Sequence, residues 1–66
     1  MEIQLIHKTK KNIFCYCNLV VRAKKILMEC QVVEYDSTTE ENYNLEYKEF
    51  SLDEFSAFLK KDWEVC

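Results

Sequence analysis

His7, Cys15, Cys17 and Cys30 are the side chains whose types and spacing could do chemistry together. One imidazole and three thiolates form a legitimate ligand set for zinc. On an extended strand, residues two apart share a face, so Cys15 and Cys17 point the same way. A polar break at Arg22–Lys25 would fold that strand back and pair Val21 with Ile26, Leu19 with Met28 and Cys17 with Cys30. The earlier polar stretch, Thr9–Asn12, would bring Ile3, Leu5 and His7 alongside Ile13, Cys15 and Cys17. A small zinc-stapled domain is therefore one alternative. Against it, structural zinc knuckles favour longer spacers and often a glycine turn, whereas this chain has Cys-x-Cys and no glycine. A Cys17–Cys30 disulfide is a further alternative. The preferred reading is plain packing with no metal and no cofactor, because free cysteine is among the most buried residue types and behaves as a small hydrophobe. Redox work asks for an exposed thiol in electropositive surroundings, and Cys66 alone is expected at the surface.

Catalysis finds little support, and the chain is read as a non-enzyme. It has one histidine and no second obvious base. Ser37, Thr38 and Thr39 sit in the polar stretch "DSTTEEN", which reads as a turn rather than a nucleophile's mount. Glu40 and Glu41 are adjacent acids in that loop, the usual arrangement of solvated carboxylates. With no glycine, a phosphate-cradling loop has nothing to be built from.

Charge is distributed unevenly. The net charge is −3, yet residues 1–25 hold six bases against Glu2 alone, and residues 26–66 hold eleven acids against three bases. Lys8, Lys10 and Lys11 form one basic cluster, and Arg22, Lys24 and Lys25 form another. Binding nucleic acid through these two turns is an alternative function, but a binder should gather its bases on one face, so a nucleic-acid partner is not expected. No secretory leader is read in the first residues, and the longest apolar run is far too short for a bilayer. The expected place is the cytoplasm, away from membranes, with reduced cysteines.

The elements that must position these side chains follow from periodicity. The 66 residues, 48% of them hydrophobic and 14% aromatic, make one domain, 1–66. Glu2–Lys8 alternates; Ile13–Val21 and Ile26–Tyr35 are β-branched and aromatic, as strands are; Tyr43–Phe50 alternates again, with Tyr43, Leu45 and Tyr47 on one side. Ser51-Leu52-Asp53-Glu54 is a capping box, and Leu52, Phe55, Phe58 and Leu59 continue at helical spacing. A helix over 52–61 is predicted, with Trp63 and Val65 folding back as a lid. The fold class is α+β: a small antiparallel β-meander of about four strands with a C-terminal α-helix packed on one face. Residues 18–30 also fit a helical face, which would give the alternative ββαββα.

One helix covers one face of a sheet. The covered face is expected to carry Ile3, Leu5, Ile13, Cys15, Cys17, Leu19, Met28, Cys30, Val32, Leu45 and Tyr47. The other then carries Phe14, Tyr16, Val20, Leu27, Val33 and Tyr35, too many large apolar groups for a purely wet surface. With Asp36, Glu40 and Glu41 as an acidic rim, these residues are the predicted protein-binding site. The expected function is a non-catalytic protein-binding module that occupies a partner's surface. Size and composition fit an accessory regulator or inhibitor of the phage or mobile-element type. A homodimer is the simplest partner, since a small domain gains missing core by pairing.

Overall fold

Four antiparallel strands, one helix and a short fifth strand follow each other in a computed structural model that describes residues 2–66. They are β1 (Glu2–His7), β2 (Ile13–Arg22), β3 (Lys25–Asp36), β4 (Glu41–Ser51), α1 (Leu52–Asp62) and β5 (Trp63–Val65). The sheet order is β4-β3-β2-β1-β5. The first four strands are therefore a meander. The helix then carries the chain from the β4 edge to the β1 edge, where β5 pairs antiparallel with β1, His7 opposite Trp63 and Leu5 opposite Val65. The segment expected as a lid is thus a strand. The α+β meander with a C-terminal helix is the architecture, and a ββαββα arrangement is excluded because residues 18–30 form a hairpin.

The β2–β3 hairpin has the register that the sequence predicts: Val21 faces Ile26, Leu19 faces Met28 and Cys17 faces Cys30. Its two-residue turn, Ala23-Lys24, holds both residues at positive φ, 48° and 64°. That is the pattern of a type I′ turn, whose twist matches the flanking strands and which normally recruits Asn-Gly. Without glycine, two side-chain-bearing residues take the left-handed region at about 1–2 kcal/mol each. Ten residue pairs along the hairpin offset that cost. Glu40, at φ 58°, closes the β3–β4 turn in the same way, while Asp36 Oδ1 accepts from the Thr38 N–H at 2.9 Å.

The capping box is complete at the start of α1: Ser51 Oγ accepts from the Glu54 N–H at 3.3 Å, and the Ser51 N–H donates to Glu54 Oε1 at 3.0 Å. Asp53 and Glu54 stand in the first turn and Lys60 and Lys61 in the last, which complements the helix dipole. The helix lays Phe55, Phe58 and Leu59 over Leu5, Cys15, Cys17, Met28 and Cys30. Trp63 completes this core from β5, and Phe58 links Phe50 (4.8 Å between ring centroids) to Trp63 (5.5 Å). Burying a residue such as Leu5 contributes about 1.5–3 kcal/mol.

One predicted burial and one predicted face assignment are corrected. Leu19 lies on the helix side but is 42% exposed, because β2 and β3 run on beyond the helix. Leu45 and Tyr47 are not in the core. A register shift between Val32 and Val33 pairs Val32 with Glu46 but Val33 with Asn44, so Leu45 is the extra residue of a β-bulge. Beyond the bulge the period of two restarts on the other foot. Phe50 and Lys48 therefore stand opposite Met28 and Cys30, and Tyr47 stands opposite Gln31 on the uncovered face.

Candidate functional site

Two places in the fold gather chemistry: the sulfur group under the helix, and the sheet face that the helix leaves bare. The sulfur group is formed by register. Cys15 and Cys17 are two apart on β2, and Cys17 is directly opposite Cys30 on β3. Their Sγ atoms all lie within 4.8 Å of one another, with Cys15 and Cys17 at 3.6 Å. All three residues are at most 1% exposed, and all four cysteines of the chain, Cys66 included, are free thiols. The Cys17–Cys30 disulfide is therefore not formed.

Within this group protons are shared unequally. The bond with Cys17 holds the Cys15 thiol far above its ordinary range, helped by the bond with Cys30 and by burial. For Cys30 the bond with Cys15 pulls downward, but the bond with Cys17, burial and the Cys17 charge outweigh it and push the thiol up to about 12. Cys17 is drawn the other way, downward, by its contact with Cys15 first and with Cys30 second, so it is the first of the three to ionise. The physical content is an order of ionisation. Once Cys17 has lost its proton, a second thiolate would sit beside it unscreened.

His7 does not join the sulfurs. Its Nδ1 accepts from the Lys10 N–H at 3.1 Å and the Thr9 N–H at 3.3 Å, which makes it the cap of the β1–β2 turn. Its ring meets Trp63 edge-on, with centroids 5.3 Å apart. The four-residue zinc set is thereby corrected: the fold brings three of its members together and turns the fourth into backbone donors.

The bare face carries the predicted residues in two apolar islands. Phe14 pairs with Val33, with Ile6 on its other side; Val20 pairs with Leu27 farther along. Between them run polar rows, Gln4–Tyr16–Gln31–Tyr47 and then Glu2–Asn18–Glu29–Glu49. Phe14, Tyr16, Val20 and Leu27 are half-buried and Tyr35 is exposed, but Val33 is only 7% exposed, shielded by its neighbours in the sheet. Tyr47 is the member that sequence reasoning misses, because nothing in the residue types announces the bulge that turns it over.

The charged rows are tied together. Arg22 Nη1 donates to Glu49 at 2.8 Å and Nη2 to Glu29 at 2.5 Å. The Glu49 charge raises the Arg22 guanidinium further, and the Glu29 carboxylate, by hydrogen bonding, holds the Tyr47 phenol above its usual range. Arg22 is thus committed within the sheet. The two basic turns lie at opposite ends of β2, roughly 30 Å apart at strand rise. They make no single basic face. The β1–β2 turn instead adjoins the acidic β3–β4 end, where the Tyr35 N–H donates to the Asn12 carbonyl at 2.8 Å. There Asn12, Glu34, Tyr35, Asp36 and Ser37 line an open cavity of about 410 Å³. The predicted rim acids serve locally: Asp36 and Glu40 shape the turn, and Glu41 accepts from the Tyr43 hydroxyl at 3.2 Å.

Comparison with protein-family models, curated proteins and solved structures finds no match to this chain. No helix among the described residues is long and apolar enough to cross a membrane.

Proposed function

We propose that this chain is a non-catalytic protein-binding module that acts by occupying a partner's surface. The observation that carries the reading is the one-sided core. α1 covers one face of the sheet, and no other helix exists among the described residues to cover the face with Phe14, Tyr16, Val20, Leu27, Tyr35 and Tyr47. Two tyrosines flank Gln31 at the centre of that face, between the apolar islands. Tyrosine is an enriched hot-spot residue because it combines apolar area with a polar tip. Free thiols fit a reducing cytoplasm. A small inhibitor or accessory regulator of the phage or mobile-element type remains the fitting role, and a homodimer the simplest assembly.

The test is Tyr16→Glu. The exposed edge of Tyr16 lets the variant fold, whereas Val33→Glu would place a charge at a buried position and unfold the sheet. Wild type is expected to self-associate or to hold a partner through this face. Tyr16→Glu should weaken that association at least 30-fold, the equivalent of about 2 kcal/mol, with an unchanged melting curve. Equal association of Tyr16→Glu and Tyr47→Glu with wild type refutes the assignment.

A further inference from the structure

We propose that Cys15, Cys17 and Cys30 form a buried three-sulfur site for a monovalent soft metal ion, copper(I). The site is independent of the surface reading above. Three observations point to it. The first is spacing: an ion bound at about 2.3 Å by three sulfurs in one plane needs them about 4 Å apart, and here they lie within 4.8 Å, the closest pair at 3.6 Å. Side-chain rotation of less than an ångström closes the difference. The second is donor chemistry. The group contains thiols alone, and soft thiolates select copper(I), zinc or iron–sulfur clusters. Structural zinc wants a fourth ligand; His7 is bound to the turn, and three residues at most 1% exposed leave little room for solvent to supply one.

The third observation is charge. No polar or charged residue is buried among the described residues, so nothing in the core would balance an ionic complex. A divalent ion on three thiolates leaves a net negative charge there, which is expensive. A monovalent ion on one thiolate and two thiol sulfurs is neutral. The step balances simply: copper(I) forms a bond to one sulfur as its S–H bond breaks, the proton goes to solvent, and the other two thiols add lone pairs. No electron is transferred. Met28 lies on the same face two residues before Cys30 in the same core cluster, which keeps the surroundings soft as well as apolar.

The experiment uses Cys66→Ser, which removes the exposed thiol and leaves the buried three. The reduced protein is titrated anaerobically with copper(I) held by a chromophoric chelator, and followed by native mass spectrometry, thermal melting and X-ray absorption. The expected result is one copper per chain with one proton lost, sulfur-only coordination and a melting temperature raised by several degrees. Cys17→Ala in the same background should lose at least 100-fold in copper affinity. Should Cys17→Ala fail to fold, Cys15→Ala and the coordination seen in the parent protein decide. No copper adduct, copper shared between two chains, undiminished binding by the alanine variants, or displacement of copper by equimolar zinc each overturns the proposal.

Discussion

Cys17 is the residue on which most depends. It lies opposite Cys30 and 3.6 Å from the Cys15 sulfur, with no polar side chain buried beside it. A hydroxyl there would lose water without gaining a good acceptor. Cys17→Ser should therefore destabilise the fold by about 1–3 kcal/mol, and Cys17→Ala by less, as read from urea midpoints. The cysteine positions were legible from alternation alone, since a period of two determines which thiols meet. His7 was not, because its fate depends on turn N–H groups whose placement only the closed hairpin supplies. Glu54 makes a pH prediction. The bond from the Ser51 N–H holds its carboxyl below the usual glutamate range. The folded state then binds this proton less readily than the unfolded chain, so its stabilising contribution is present above the ordinary glutamate range and fades as the pH falls through the lowered value. Glu54→Gln keeps the hydrogen-bonding pattern of the box and should flatten that acid limb in melts taken between neutral and acidic pH.

Among the elements, α1 is set by local signals, and so is the register of the β2–β3 hairpin, although residues 18–30 alone fit a helix as well. The capping box, the first-turn acids and the last-turn lysines mark the helix within a residue of its observed end. The hairpin register follows because a two-residue turn leaves one pairing that keeps both apolar sets on their faces. The turn itself carries a conflict, since Ala23 and Lys24 occupy a conformation that glycine and asparagine tolerate better. Ala23→Asn with Lys24→Gly should stabilise the protein by about 1–2 kcal/mol, measured as a higher denaturant midpoint with the same slope. β4 resists such reading. Its alternation is continuous in sequence, but the bulge at Leu45 inverts one part of the strand relative to the other. A bulge is chosen by the twist of the whole sheet and leaves no mark in the residue types. At the exposed β4 edge, Glu46, Lys48 and Glu49 stand beside the bulge, two devices that discourage unwanted strand pairing.

The molecule as a whole is long for its mass, 43 × 21 × 18 Å. The long hairpin outruns the helix, so Val21 is 70% and Ile26 51% exposed at its far end, with Leu52 of α1 also open to solvent. This apolar end is distinct from the tyrosine-bearing face and tests it. Val21→Lys should change stability by no more than about 0.5 kcal/mol and leave association intact, while Tyr16→Glu removes it. The reverse pattern in native mass spectrometry would move the interface to the hairpin end. Charge behaves similarly at this level. The basic first third and acidic remainder of the chain do not become two poles, because antiparallel folding lays the lysines of the β1–β2 turn beside the acidic β3–β4 end.

The sequence by itself determined whatever depends on neighbours along the chain: a capped C-terminal helix and, if residues 18–30 are strands, a register that sets Cys17 opposite Cys30; the packed sheet chose the hairpin over a helix there. The tertiary structure decided what depends on closure. It made Trp63–Val65 a fifth strand, because β1 offered an unpaired edge where the helix ends. It turned Tyr47 outward, because a bulge restarts the side-chain period. It drew three sulfurs together while bending His7 away, because an imidazole beside free N–H groups satisfies them first. Local periodicity reports which way a side chain points from its own strand; only the packed sheet establishes what stands opposite it.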